Sequence, residues 1–504
     1  MRSGFSETVD KKVFFIGGFV CLLILIFAVV NPAAAETFFS WLLTVFCTDF
    51  SWLYLLAVAA FILILLCFAL GRYGNVVLGK DDEKPEYSTF SWFFMLFSAG
   101  MGIGLVFWSV AEPMSHYLAP PLGAGSTPDA AVNAMRYSFL HWGIHPWACY
   151  GVIGLPLAYF QFRKGKPALL SSCVAPIVGE KHANGLFGSV IDVLAVFATV
   201  FGVATSLGLG AMQINSGLHY VFGVPYHHFV MLLIITVTTV LFISTSVAGI
   251  DRGIKVCSDI NIALMLLLLV FVLFAGSTLF VLGFFVDSFG QYLAALVSDS
   301  FWSDPFGESD GWLNSWTVFY WAWWISWGPF VGGFIARISR GRTVRQFVFG
   351  TLLCPMILSV IFITVMGGSA IRFDMAGVSS IASAMDENIS YATFALLEQF
   401  PLTKLTSFVT VVLISVFFIT SANSSTFVCA MMTAKGVQEP PVFLKVFWGL
   451  AESSSAAILL FVGGLTALQS ASILSALPMI FVCFLLLASF GKTLREETLL
   501  KAPD

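Results

Sequence analysis

The chain has 504 residues, of which 58% are hydrophobic and only 10% are charged, and its net charge at pH 7 is −4. This composition is typical of proteins that cross a membrane several times, and it gives no basis for binding nucleic acid. The nine Cys residues form no C-x-x-C motif and no Cys/His cluster of metal-site spacing, so we interpret them as small buried hydrophobic side chains.

Twelve apolar segments are long enough to be membrane-spanning helices, each of which needs about 20 residues. We predict spans at 13–30, 52–70, 91–111, 137–160, 188–210, 229–248, 257–285, 314–335, 347–370, 405–432, 445–465 and 472–491. The first resembles a signal peptide, but further spans follow at once, so we expect it to be retained. If both termini are cytoplasmic, 21 of the 24 Lys and Arg residues lie on the cytoplasmic side, as the positive-inside rule requires.

The third span contains AGMGIGLVFW, with glycine at every second position. Glycine allows a helix to unwind, and the exposed backbone can then bind a cation or a carboxylate at membrane depth. Close helix packing is the alternative, although it usually uses G-x-x-x-G spacing. The candidate substrate-binding residues in this stretch are Gly100, Met101, Gly102 and Gly104.

The fourth span begins with HWGIHPWACY, which places Trp142, Trp147 and Tyr150 around the helix breaker Pro146. These rings form either part of a binding site or an aromatic belt at the outer membrane surface. The two His residues of this motif are more typical of ordinary hydrogen bonding than of a metal site or a proton relay.

The stretch DSFGQYLAALVS after the seventh span is too polar and too short to cross a membrane, and it predicts an amphipathic helix on the outer surface. It separates two groups of five spans, each of which opens with a glycine-interrupted helix, 98–108 in the first and the helix containing GPFVGG in the second. Paired broken helices indicate an inverted-repeat transporter. The predicted parts are a cytoplasmic N-terminus at 1–12, two extra spans with a loop at 13–90, a first repeat at 91–286, the outer helix and linker at 287–313, a second repeat at 314–491 and a cytoplasmic tail at 492–504.

The eighth span contains WTVFYWAWWISW, in which aromatic residues recur every three or four positions and share one helix face. They are Trp316, Tyr320, Trp323, Trp324 and Trp327. Aromatic faces attract quaternary ammonium groups, so this stretch predicts a cation–π cage inside the membrane. Helix packing combined with an interfacial belt is the alternative.

The tenth span contains FFITSANSST, with Thr420 and Ser421 at its middle. Small hydroxyl side chains in a membrane either join neighbouring helices or supply oxygen ligands to a small cation.

Four motifs together resemble the betaine–carnitine–choline transporter family, and the resemblance runs from about residue 13 to residue 491. They are GMGIGLVFWSVAEP at 100–113, HWGIHPWACY at 141–150, FYWAWWISWGPFVGGFIARISRGR at 319–342 and FFITSANSS at 417–425. The resemblance implies an all-α protein of twelve transmembrane helices with a LeuT-type inverted repeat, assembled as a homotrimer in the plasma membrane. It also implies a transporter without enzymatic activity and without a cofactor.

The resemblance further implies the roles of individual residues. The aromatic substrate box corresponds to Trp142, Trp147, Tyr150 and Trp324, and the neighbouring tryptophans of the transport path correspond to Trp323 and Trp327. A Na⁺ site between the first broken helix and the tenth span corresponds to the backbone of Ser98, Met101 and Phe417 and the hydroxyl groups of Thr420 and Ser421. Ser98 replaces the Ala expected there, which a backbone ligand tolerates.

We therefore expect an importer of a quaternary-ammonium zwitterion similar to glycine betaine, driven by Na⁺ symport with alternating access. Gly104 favours a zwitterion, because choline-type members of the family tend to carry Asp at that position. Lys255 leaves sodium independence open, because sodium-independent members place a basic residue near there. The alternatives are a proton-coupled or sodium-independent carnitine, choline or betaine transporter, or an exchanger. The tail after 491 is not strongly basic, so we expect no tail-based osmotic activation.

Overall fold

The computed structural model describes residues 8–100, 102–248, 251–378 and 380–500, and within these ranges it contains helices and no β-strand. In those ranges, nine helical stretches are long and apolar enough to cross a membrane, and one of them, Val442–Leu499, contains two consecutive helices. The protein is therefore an all-α polytopic membrane protein, while the number of twelve spans stays a prediction.

The helices of the first half end at residue 248. They are α1 (Lys11–Val30), α2 (Pro32–Thr44), α3 (Ser51–Leu70), α4 (Thr89–Gly100), α5 (Ile103–Leu118), α6 (Pro128–Trp142), α7 (Ile144–Ala158), the short α8 (Leu170–Cys173), α9 (Ala175–Val178) and α10 (Glu180–Ala183), α11 (Leu186–Phe222) and α12 (His228–Ala248). The second half contains α13 (Asp251–Ala275), α14 (Thr278–Phe301), α15 (Phe319–Ile338), α16 (Val344–Met375), α17 (Ser380–Glu387), α18 (Ala392–Leu397), α19 (Thr403–Thr433), α20 (Val442–Ile473) and α21 (Ala476–Leu500).

Polar side chains define where several of these helices begin. Thr127 accepts a hydrogen bond from the backbone N–H of Ala130 over 3.1 Å, and Pro128 follows as the first helical residue of α6. Thr343 and Gln346 form a reciprocal capping box at the start of α16. Such caps satisfy backbone N–H groups that have no partner inside the helix.

Glycine interrupts three of the predicted spans. Gly102 has non-helical dihedral angles and separates α4 from α5, as the glycine spacing predicts. Gly143, not Pro146, separates α6 from α7. Pro146 lies in the first turn of α7, where a backbone N–H has no partner inside the helix, so the missing N–H of proline does not interrupt the helix. A third break, at Gly463 and Gly464 inside α20, was not anticipated.

The predicted interruption of the tryptophan helix is wrong, because α15 continues through GPFVGG to Ile338. Its glycines serve close packing against α7 instead. A Cβ atom on Gly332 would lie 3.0 Å from the carbonyl oxygen of Tyr150 and 3.1 Å from the backbone nitrogen of Gly154. The argument for paired broken helices at the start of each repeat therefore fails in the second repeat, and the inverted repeat remains a prediction.

The boundary between the seventh span and the outer helix also differs from the prediction. The helix α13 ends at Ala275, and α14 begins at Thr278 and runs unbroken to Phe301. Hydropathy could not place this boundary, because apolar residues continue on both sides of Gly276 and Ser277. The end of α14 packs against the start of α7, where Nε2 of His145 and Oγ of Ser300 are 2.8 Å apart.

Candidate functional site

The helices α7 and α15 approach closely at glycine, and this approach brings together aromatic residues that lie far apart in the sequence. Gly154 on α7 and Gly332 on α15 face each other, with 3.0 Å between the carbonyl oxygen of Gly332 and a Cβ placed on Gly154. Side chains of any size at both positions would separate the helices. The glycines of GPFVGG therefore position the tryptophan face of α15 against α7.

All four residues of the predicted box belong to one buried ring cluster. The indole of Trp142 meets that of Trp324 edge to face, with ring centroids 4.9 Å apart. The ring of Tyr150 lies 6.3 Å from Trp324, again edge to face. Trp147 joins the cluster through Tyr150, at a centroid distance of 5.5 Å. The rings are buried inside the protein and do not form a belt facing lipid.

Trp323 and Trp327 extend this cluster along α15. Trp323 stacks on Trp324 with 4.7 Å between centroids and also meets Trp142 edge to face at 6.4 Å. Trp327 lies 6.3 Å from Trp323, and its indole N–H donates a hydrogen bond to the carbonyl oxygen of Gly202 on α11. These two tryptophans thus connect the cluster to α11.

The broken segment between α4 and α5 lies beside the same rings. A Cβ placed on Gly104 would lie 3.2 Å from Cη2 of Trp142 and 3.4 Å from Cη2 of Trp323. A Cβ on Gly102 would lie 3.5 Å from the ring of Phe417 on α19. The break therefore lies between the aromatic cluster on one side and α19 on the other. Gly100 ends α4, and Met101 lies outside the described residues.

Three polar groups in the aromatic cluster are buried without a hydrogen-bond partner among the described residues. They are the indole N–H groups of Trp147 and Trp323 and the hydroxyl group of Tyr150. The indole groups can only donate, and the phenol can donate or accept. These groups are suited to a ligand that carries hydrogen-bond acceptors.

The predicted cation ligands on α19 lie close together. The hydroxyl of Thr420 donates to the carbonyl oxygen of Val416 over 3.0 Å or that of Phe417 over 3.2 Å, so two predicted ligand oxygens are neighbours. Ser421 follows on the same helix and is half-buried. Donation of the hydroxyl proton to a carbonyl leaves the lone pairs of the Thr420 oxygen free for a cation. The side chains of Ser98 and Lys255 lie outside the described residues, as Met101 does.

Sequence reasoning missed Glu112, the buried carboxyl group at the end of GMGIGLVFWSVAEP. The indole N–H of Trp142 donates to its Oε2 over 2.7 Å, and the hydroxyl of Tyr320 donates to the same oxygen over 2.5 Å. Oε1 lies 2.6 Å from Nδ1 of His141 and 3.3 Å from Nε2 of His116. A carboxyl group inside a membrane-spanning helix is a sign of function, but the predicted third span ended at residue 111, one residue before Glu112.

Glu112, His116 and His141 also place three metal-ligand atoms within 4.8 Å of one another. Each of these atoms, however, already takes part in the hydrogen-bond network. Nδ1 of His116 accepts from the indole N–H of Trp312 over 3.2 Å, so Nε2 of His116 carries the proton and donates to Glu112. A protonated nitrogen is not a metal ligand, and we interpret the cluster as hydrogen bonding.

A second buried carboxyl group, Glu452 on α20, lies in a different environment. Its Oε2 accepts hydrogen bonds from the hydroxyl groups of Ser425 at 2.8 Å and Thr426 at 3.1 Å, and Oε1 lies 3.7 Å from Sγ of Cys429. These partners belong to α19 and not to the aromatic cluster. Glu452 therefore provides a buried glutamate for comparison with Glu112.

Comparison with known proteins shows which proteins this chain is similar to. The family described as "BCCT, betaine/carnitine/choline family transporter" matches residues 12–499. The chain is 49% identical to the glycine betaine transporter OpuD of Bacillus subtilis over 457 residues, which are 90% of this chain and 88% of that protein. It is 43% identical to a probable glycine betaine transporter of Desulfitobacterium hafniense, covering 97% of this chain and 99% of that one. It is 42% identical to an ectoine/hydroxyectoine transporter of Virgibacillus pantothenticus, covering 97% and 98%.

Proposed function

The chain belongs to the betaine/carnitine/choline transporter family, and on this premise we propose that it imports a quaternary-ammonium zwitterion of the glycine betaine type by sodium symport. Like its relatives, it is a transporter and not an enzyme. The substrate, the coupling ion and alternating access between the two sides of the membrane are parts of the proposal.

The observation that carries the proposal is the convergence of Trp142, Tyr150 and Trp324 from separate helices into one buried cluster. A methylated ammonium group cannot donate a strong hydrogen bond, so ordinary polar groups bind it poorly. Aromatic faces attract it through their negative potential, by about 2 kcal/mol or more per contact when water is excluded. A buried ring cluster thus suits an onium group better than a metal ion or a sugar.

The carboxylate end of a zwitterion needs donors, and the same region supplies them. The break at Gly102 leaves the N-terminus of α5 without a side-chain cap, and backbone N–H groups at such an end can bind an anion. The N–H groups of Trp147 and Trp323, which have no partner in the part of the chain that the structure describes, are further donors beside the rings. These features support a substrate that carries both charges over a simple cation.

Sodium coupling is supported by the position of α19 beside the broken segment. The ring of Phe417 packs against Gly102, and the Phe417 carbonyl lies next to the Thr420 hydroxyl. We propose that Na⁺ binds between the segment Ser98–Met101 and the residues Phe417, Thr420 and Ser421. A bound cation there would hold α4 and α5 to α19 and couple the sodium gradient to substrate binding.

We also propose twelve spans, with both termini in the cytoplasm and the two five-helix repeats related by inversion. The lysine and arginine distribution supports this topology. The homotrimer and the plasma-membrane location rest on the family resemblance.

The test is uptake by purified protein in proteoliposomes, with labelled glycine betaine, choline, carnitine and ectoine, each with and without an inward sodium gradient. We expect glycine betaine to accumulate in the presence of the gradient. Ectoine belongs to the panel because one of the relatives carries it. Equal uptake with and without the gradient would refute sodium symport, and uptake of none of the four compounds would refute the substrate class.

A further inference from the structure

We propose that Glu112 is a positioning residue of the aromatic site: its ionised carboxylate orients Trp142 and Tyr320 and increases their attraction for the onium group of the substrate. The inference rests on the proposed function and goes beyond it, because it assigns a role to a residue outside the proposed aromatic box. Its basis is the set of hydrogen bonds around the two carboxyl oxygens.

In two of the four contacts of Glu112, the chemistry of the partner shows that the partner is the hydrogen-bond donor. An indole N–H can only donate, so Trp142 donates to Oε2. Because Nδ1 of His116 accepts from Trp312, Nε2 of His116 donates to Oε1. Each carboxyl oxygen therefore receives an N–H group, and Tyr320 and His141 add a further contact to each oxygen.

The N–H groups that donate to both oxygens favour the ionised form of the carboxyl group, which the proposal requires, and its burial opposes that form. Burial disfavours a charge, while hydrogen bonds to the charged form favour it. An ionised carboxylate accepts up to about four hydrogen bonds, the number of contacts around Glu112. Within the described ranges, its ion-pair partners are two His residues, of which His116 is held neutral by Trp312. An onium substrate would complete the charge balance of the site.

The carboxylate acts on the site through ring orientation. Glu112 lies on α5, Trp142 on α6 and Tyr320 on α15, so a single side chain connects three helices. Glu112 binds the N–H group of Trp142, and the ring centroid of Trp142 lies 4.9 Å from that of Trp324. Rotation of that indole would change the ring face presented to the substrate.

The carboxylate also acts through charge. A group that donates a hydrogen bond to an anion is polarised, which places additional negative charge on its ring. The ring faces of Trp142 and Tyr320 should therefore attract a cation more strongly than rings with neutral hydrogen-bond acceptors. This effect depends on the charge of residue 112, and a purely structural role does not.

The experiment measures binding of two ligands to the purified full-length protein and its variants by titration calorimetry. The first ligand is glycine betaine. The second is tert-butylacetate, which has the same shape but carries a neutral carbon in place of the charged nitrogen. The substitution Glu112→Gln keeps the size of the side chain and removes its charge. We expect the affinity for betaine to fall about tenfold and that for tert-butylacetate to change less than about twofold.

The matched control is Glu452→Gln, which removes a carboxyl group that is equally buried but contacts α19. It should leave the ratio of the two affinities unchanged. The proposal would be overturned if Glu112→Gln lowered the affinity for both ligands equally, or lowered neither affinity. If tert-butylacetate binds too weakly to titrate, the betaine affinities of Glu112→Asp and Glu112→Gln are compared instead. The Asp variant retains the charge and should bind betaine more tightly. Equal affinity of these two variants would count against a role of the charge.

Should Glu112→Gln not fold, Tyr320→Phe is the second variant, since it removes one hydrogen bond and retains the carboxylate and the ring. Betaine affinity should then fall about threefold, with tert-butylacetate affected less. An equal effect on both ligands would again overturn the proposal. A wild-type protein that binds no betaine would instead refute the proposed function, so the two failures are distinguishable.

Discussion

The indole N–H of Trp142 donates a hydrogen bond to Oε2 of Glu112 over 2.7 Å, although 30 residues separate them and they lie on different helices. Trp142 is at once a member of the aromatic cluster and a partner of a buried carboxyl group. The rings of the proposed site and the polar network around Glu112 are therefore one unit. Changes to the rings, the broken helix and the helix packing should therefore alter different measured properties, namely substrate affinity, substrate selectivity and thermal stability.

Trp324→Ala should strongly weaken glycine betaine binding while the protein stays folded. The side chain contacts Trp142, Tyr150 and Trp323, and loss of one desolvated cation–π contact of about 2 kcal/mol lowers affinity about thirtyfold. Tryptophan-fluorescence titration measures the affinity. The control is Trp41→Ala, because Trp41 is exposed on α2, away from the cluster. Unchanged affinity in Trp324→Ala would exclude this ring from the site.

The double variant Thr420→Ala, Ser421→Ala should raise the sodium concentration needed for half-maximal uptake at least about tenfold, because it removes two proposed oxygen ligands. Uptake in proteoliposomes at graded external sodium measures this. Thr410→Ala is the control, since Thr410 lies on the same helix and its hydroxyl also donates four residues back, to Thr406. The same sodium dependence in the wild type, the double variant and Thr410→Ala would exclude the proposed cation site.

Gly104→Asp should shift selectivity from glycine betaine towards choline. The new carboxylate would lie against the edges of Trp142 and Trp323, which must yield by a few tenths of an ångström, and it would balance a cation that lacks its own carboxylate. Gly104→Asn has nearly the same size without the charge. We expect the ratio of choline to betaine affinity to rise about tenfold in the Asp variant only. Equal ratios in both variants would point to a steric effect.

Gly332→Ala should destabilise the protein by about 1–3 kcal/mol, because the added methyl group meets the backbone of α7 at 3.0–3.1 Å and cannot be relieved by a side-chain rotation. Thermal unfolding in detergent measures the change. Gly333→Ala is a close control, since its nearest neighbour would be Cδ2 of Leu157 at 4.0 Å. If both variants unfold at the same temperature, the close approach of α7 and α15 does not depend on Gly332.

Glu497→Ala should destabilise the end of α21 by about 2 kcal/mol, a value typical of hydrogen bonds to a charged group. Its carboxylate binds Arg163, Lys164 at 2.8 Å and the hydroxyl of Tyr159 at 2.6 Å. The neighbouring Glu496 is exposed, so Glu496→Ala is the control. Thermal unfolding of the two variants should differ, and equal stability would show that the ion pairs are offset by solvation.

Much of the fold could be predicted from local sequence. The first two predicted spans agree with α1 and α3 within a few residues, because a bilayer requires about 20 consecutive apolar residues. The break at Gly102 followed from glycine spacing. The ends of α13 and α14 and the continuity of α15 could not be predicted in this way. Apolar residues lie on both sides of Gly276, and a glycine that permits packing has the same sequence signal as one that interrupts a helix.

The aromatic residues of the candidate site were predicted as a set from sequence and family resemblance, and the structure brings them into one buried cluster whose arrangement the sequence does not show. Composition and periodicity were enough to predict that the protein is helical and embedded in a membrane, and the residues themselves showed which rings and hydroxyl groups are available. The packed helices were needed to show that Glu112 bonds to Trp142 and Tyr320 and that α7 and α15 meet at glycine. The reason is physical: hydrogen bonds and ring contacts act over a few ångströms, and helix packing brings within that range residues as far apart in the chain as Glu112 and Tyr320.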